Sequence, residues 1–173
     1  MKDDGKKEEH LPIFGVGPLY GTVVFLLTAG AVWCRDLPIF SFGKIDALST
    51  PMMILGILLL LAGLCLWAYA AVFSGMLEGI KTNHLVTTGI YACVRNPLYC
   101  GLTMAHSGVL FMTGNVLFLV LPFLFCLFMT ILMIHTEEKW LHDLYGEEYE
   151  EYCKRVNRCI PWFPKKAEAV KTD

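Results

Sequence analysis

The sequence predicts an all-α protein that crosses a membrane several times, and three observations carry that expectation. Of the 173 residues, 55% are hydrophobic and only 17% are charged, whereas soluble domains carry roughly 25% charged residues. The apolar residues are gathered into four long runs, each free of Lys, Arg, Asp and Glu. Glycine and proline stand at the borders of those runs, where helices start and stop. The net charge of -2 excludes a nucleic-acid-binding surface of the usual basic kind.

The elements follow in order. Residues 1–12 are polar and of mixed charge, and the sequence predicts a disordered cytoplasmic tail there. The first span is expected at about 16–34. It ends in Trp33-Cys34-Arg35-Asp36 and carries no small-residue cleavage site, so it reads as a retained helix and not a signal peptide. A loop follows, with Phe40 and Phe42 expected at the headgroup level. Ser49 and Thr50 ahead of Pro51 suggest the start of the second span, 51–73. Gly56 and Gly63 lie on one face of it and permit a neighbouring helix to come close. The third span, 98–113, is short. Gly114-Asn115 is a turn signal, and the fourth span, 116–135, follows at once. The last two spans therefore form a tight helical hairpin, with Pro122 expected to kink the fourth helix. The fourth helix is expected to run on past Glu137 to a break at Gly146. A short helix from Glu147 to Val156 then shows Tyr149, Tyr152 and Val156 on one face, and residues 165–173 form a second tail. Residues 13–164 thus make one membrane domain.

Lys and Arg set the expected orientation. With four spans, twelve of the 14 basic residues fall on the side of the two termini, and only Arg35 and Lys44 fall on the other. Positive charge favours the cytoplasm, so both termini and the connection at 74–97 are expected there. The seven cysteines show no C-x-x-C pair and no zinc-like spacing with histidine, and read as free thiols, with no metal expected.

Two polar segments then meet at one membrane face. The first carries Arg95, a two-pronged grip for a carboxylate or phosphate, just before Pro97 at the start of a helix. Tyr91 and Tyr99 offer ring faces for a base or a cation. From the second segment, Glu137 and Glu138 can pair an ammonium or accept bonds from ribose hydroxyls. Each has a plainer reading: an interfacial anchor for Arg95, belt aromatics for the tyrosines, a solvated helix turn for the glutamates. His84 alone reads as an interfacial residue. A non-enzymatic scaffold or small transporter and a sterol-reductase-like enzyme stand as the alternatives to a transferase.

The combined pattern is more specific. N-H-L-V-T-T-G-I-Y-x3-R-N-P-L-Y-x-G, followed by E-E-x2-L-x4-G-E-E-Y-x2-Y-x2-R-V-x-R-x-I-P, resembles the isoprenylcysteine carboxyl methyltransferase family, which is related to the membrane phospholipid methyltransferases. The resemblance covers residues 83–161. It implies an S-adenosylmethionine-dependent methyltransferase that yields S-adenosylhomocysteine and methylates a lipophilic acceptor, whether an isoprenylcysteine-like carboxylate or another small lipid, thiol or amine. The cofactor contacts it implies are Asn83, His84, Leu85, Val86, Tyr91, Asn96, Pro97, Leu98, Tyr99 and Glu137, with Glu138 beside them. Arg95 is the residue it places near the reacting groups. Asn96 stands where relatives often have histidine. Met133 stands where the prenylcysteine enzymes carry an arginine that engages the acceptor, and His135 is the nearest candidate for that work.

Overall fold

The computed structural model describes residues 15–162, and the tails expected at 1–12 and 165–173 lie outside the described residues. The described chain is helical without strands; one isolated bridge pairs Lys44 with Asn115. Seven helices follow in order: α1 (Gly17–Cys34), α2 (Asp46–Val72), α3 (Met76–Thr82), α4 (Pro97–Met112), α5 (Val120–His135), α6 (Glu137–Tyr145) and α7 (Glu147–Arg155). Three helical stretches are long and apolar enough to cross a membrane: Gly17–Cys34, Asp46–Val72 and Val116–Tyr145. Lipid cannot satisfy backbone polar groups, and a helix satisfies them within the segment.

α4 has 16 residues, below the roughly 20 that a bilayer asks for, and α5, of the same length, is preceded at once by the 3-10 turn Val116–Leu119. α4 is the most enclosed of the four core helices. Nine of its residues are buried, against four of the 27 in α2. α4 runs antiparallel to α2 with the backbones touching. A Cβ added at Gly63 would lie 2.4 Å from the Ala105 nitrogen, and one at Gly108 would lie 2.5 Å from the Gly56 carbonyl oxygen. Gly56 and Gly63 thus permit the close approach that their spacing suggests.

Several boundaries differ from expectation. α2 begins at Asp46 and carries Pro51 inside the helix. The acid in its first turn suits the positive end of the helix dipole, and the Ser49 hydroxyl bonds back to the Asp46 carbonyl at 2.7 Å and does not cap. Pro122 falls in the first turn of α5, because Val116–Leu119 is a 3-10 turn; no helical hydrogen bond is lost there. Phe40 packs on Phe118 at 5.1 Å between ring centroids, while Phe42 is exposed. The fourth helix does not run on unbroken. At Thr136 the backbone leaves the helical region (φ -131°, ψ -91°) and the Thr136 hydroxyl bonds back to the Leu132 carbonyl at 2.5 Å, so α6 sets off in a new direction.

Gly114, at φ +66°, makes the hairpin turn. The fully buried Asn115 behind it accepts from the Leu117 amide at 3.0 Å and donates to the Phe40 carbonyl at 2.8 Å, tying the hairpin to the loop after α1. At this end α1 and α4 stop and α2 begins. At the opposite end lie the start of α1, the end of α2, the start of α4 and all of α6 and α7. There α7 buries Tyr149, Tyr152 and Val156 against Leu85. All seven cysteines are free thiols.

Candidate functional site

The first polar segment is shaped by two tight turns. α3 ends at Asn83, whose left-handed backbone (φ 50°) turns the chain back, and the His84 amide donates to the Gly79 carbonyl at 2.9 Å. Asparagine tolerates this conformation better than most residues. The chain then runs to a 3-10 turn, Gly89–Ala92, that buries Tyr91, and enters α4 at Pro97. Proline at the first helical position wastes no donor. Asn96 does not cap that helix. Its side-chain amide donates instead to the Arg158 carbonyl at 3.2 Å, so the amides of the first turn are left without a side-chain acceptor.

The C-terminal segment straps this entry in place. The Arg95 amide donates to the Asn157 carbonyl at 2.9 Å, the Trp162 amide to the Cys93 carbonyl at 3.0 Å, and the Cys100 thiol to the Cys159 carbonyl at 2.8 Å. From α7, the Tyr152 hydroxyl donates to the Tyr91 carbonyl at 2.6 Å. Burial pushes the phenols of Tyr91, Tyr149 and Tyr152 upward, so they remain neutral.

The two adjacent glutamates part ways after the break at Thr136. Glu137 turns inward: its carboxylate accepts from the Val16 amide at 2.9 Å and from the Tyr99 hydroxyl. Burial pushes its carboxyl above the ordinary glutamate range, with the bonds from Tyr99 and Val16 working the other way. Among the described residues no cation pairs with it. Glu138 turns toward two arginines. It takes Arg158 bidentately at 2.6 and 2.9 Å and meets Arg95 at 3.4 Å. Arg95 also donates to Tyr149 at 3.4 Å and to Cys153, while its buried Nε finds no partner.

Between these segments lies a cavity of about 530 Å³, within the range of small-molecule and cofactor sites. His84, Leu85, Val86, Tyr91, Arg95, Asn96, Pro97, Leu98, Tyr99 and Glu137 line it. Asn83, His135 and Glu138 do not: Asn83 is exposed at its turn, His135 is exposed at the end of α5, and Glu138 is taken up by the arginines. Met133 is fully buried in the helical core.

The remaining wall was not expected from sequence. Gly15, Gly17 and Pro18 close it beside Glu137; Trp67 and Ala71 come from the end of α2; Met76 and Ile80 come from α3; and Trp140, Leu141 and Tyr145 come from α6. A Cβ at Gly15, where φ is +47°, would stand 2.0 Å from the Glu137 Oε1, so only glycine lets the chain pass there. The Gly15-Val16-Gly17-Pro18 run was the visible signal, but nothing local reveals a partner 121 residues away.

The fittings suit a polar ligand that carries both charges: a guanidinium, an uncapped helix start, a half-buried carboxylate without a cation among the described residues, and aromatic walls. Residues 46–148 match the protein family described as phospholipid methyltransferase. A protein-S-isoprenylcysteine O-methyltransferase of Schizosaccharomyces pombe is 38% identical over 84 residues, covering 49% of this chain and 36% of its own length. A methanethiol S-methyltransferase of Bradyrhizobium diazoefficiens is 37% identical over 92 residues, covering 47% of this chain and 31% of its own. The Saccharomyces cerevisiae protein-S-isoprenylcysteine O-methyltransferase is 33% identical over 135 residues, covering 73% and 55%. The chain thus spans between about a third and about half of the length of these relatives. No solved structure matches it significantly.

Proposed function

The chain belongs to the phospholipid methyltransferase family, and from that membership we propose that it transfers a methyl group from S-adenosylmethionine to a lipophilic acceptor at a membrane face. One observation carries the reading: two polar segments forty residues apart converge on a single cavity whose fittings match a zwitterionic nucleoside. The cofactor supplies an already electrophilic methyl group, so the work left to the chain is binding, orientation and exclusion of water.

Arg95 and the first-turn amides of α4 receive the carboxylate of the methionine part. Glu137, pre-oriented by Val16 and Tyr99, receives its ammonium. Tyr91, Leu85 and Val86 flank the nucleoside. The acceptor reaches the cavity along the apolar wall that Trp67 and Ala71 of α2 and Leu98 and Leu102 of α4 present to it. His84, on the cavity wall, is a group able to take up a proton from a thiol acceptor. The acceptor class follows the relatives: a prenylated cysteine or a thiol. The cavity end, with both termini, faces the cytoplasm, as the lysine and arginine distribution favours.

Calorimetry of S-adenosylhomocysteine binding to the detergent-purified chain tests the reading. Wild type binds, and Arg95→Ala and Glu137→Ala each weaken binding by about tenfold or more, as loss of a charge-assisted hydrogen bond does. No binding, or binding that neither variant changes, would sink it.

A further inference from the structure

Arg158 stands outside the cavity wall, yet the carboxylate it holds lies between it and Arg95. The Arg158–Glu138 pair is bidentate, at 2.6 and 2.9 Å, whereas Arg95 reaches the same carboxylate by one longer contact of 3.4 Å. The remaining side-chain partners of Arg95 among the described residues are a phenol and a thiol, Tyr149 and Cys153, and not a second carboxylate. The side chains of Arg95 and Glu138 are only 9% and 12% exposed, so water screens their charges poorly. Two arginines share one carboxylate, and the geometry gives most of it to Arg158. Arg95 is left with positive charge to offer the cavity.

We infer that Arg158 is a positioning residue that sets the charge Arg95 presents to the cavity, by occupying Glu138. This rests on the cofactor reading above. Without Arg158, Glu138 has Arg95 as its nearest cation, draws it in and neutralises it. Affinity is then lost for the carboxylate end of the ligand alone. A merely structural role for Arg158, as a clamp on the strap at 157–162, would weaken every ligand alike and would not depend on the charge of Glu138.

The test is calorimetry on the full chain with two probes, S-adenosylhomocysteine and 5′-methylthioadenosine, which lacks the amino-acid part. In Arg158→Ala, S-adenosylhomocysteine binding falls about tenfold while 5′-methylthioadenosine binding holds. The double variant E138Q/R158A regains S-adenosylhomocysteine binding, because a neutral amide no longer competes for Arg95. Arg158→Lys, which keeps the charge but not the fork, falls between wild type and Arg158→Ala and serves where the alanine variant does not fold. Equal loss for both probes, no loss, or no recovery in the double variant would overturn the inference while leaving the cofactor site standing. Failure of wild type to bind either probe would remove the site itself, and this inference with it.

Discussion

Glu137 is half-buried at the cavity wall, and its two donors, a main-chain amide and a phenol, are both neutral. Its carboxyl titrates above the ordinary value of 4.5 because burial disfavours the charge. The sign follows. The folded protein holds this proton more tightly than the unfolded chain, so Glu137's contribution to stability is full below 4.5 and is lost as pH rises through the raised value. A bound ammonium reverses the preference by favouring the ionised form. Affinity for S-adenosylhomocysteine should therefore rise with pH from just above 4.5 and level off once Glu137 is ionised. Calorimetry from about pH 5 to about pH 8 checks this, and Glu137→Gln should flatten that part of the profile. A profile that keeps the same slope in the glutamine variant would assign the titration elsewhere. Residue identity was legible at this scale while direction was not. Glu137 and Glu138 are alike in sequence, and where the helix restarts after Thr136 sets which of two neighbours, about 100° apart on it, faces the cavity and which the arginines.

At the scale of elements, the contact between α2 and α4 governs the geometry of the site, because α4 carries Pro97 to Tyr99 and α2 carries Trp67 and Ala71 to the same cavity. The contact is backbone to backbone. A Cβ at Gly101 would lie 2.7 Å from the Trp67 nitrogen, and one at Gly63 would lie 2.4 Å from the Ala105 nitrogen. Lipid tails give no hydrophobic reward for bringing two helices together, so close packing has to supply it. Gly63→Val should lower stability by about 1–3 kcal/mol or more, read as a lower Tm in detergent. Gly30→Ala on α1, whose added Cβ meets nothing within 4 Å, should leave Tm close to wild type. Equal effects would mean that helix propensity and not packing sets the response. The period of Gly56 and Gly63 made this face legible from sequence. The helix borders were less so, since Pro51 and Pro122 read as a start and a kink but fall inside α2 and in the first turn of α5. The tolerance of a helix start for proline reaches through its whole first turn, which accounts for Pro122 but not for Pro51, the sixth residue of α2.

At the scale of the molecule, the four core helices alternate in direction, so the cavity and the Asn115 turn occupy opposite ends. The described basic residues divide the same way. Lys81, Lys139 and Lys154 are exposed on elements of the cavity end, and Lys44 is exposed at the other end, where it pairs with Asp36 at 2.8 Å. If the cavity end is cytoplasmic, a membrane-impermeant amine reagent added outside sealed, right-side-out vesicles should modify Lys44 and spare the other three until the membrane is opened; peptide mass spectrometry reads both states. Labelling of Lys81, Lys139 and Lys154 from outside would reverse the orientation, and labelling of both sets from outside would contradict the alternation of the helices. The orientation bears on how the two substrates meet. Under the proposed function, a charged nucleoside cannot cross lipid, so the cavity has to open to the compartment that holds it. An acceptor dissolved in the bilayer needs no such door, only the apolar wall of Trp67, Ala71, Leu98 and Leu102. The break at Thr136 then has a role at this largest scale too: the helices after it bring Glu137, Trp140, Leu141, Tyr149 and Tyr152 to the cavity, so that its polar fittings stand at one end of the core helices.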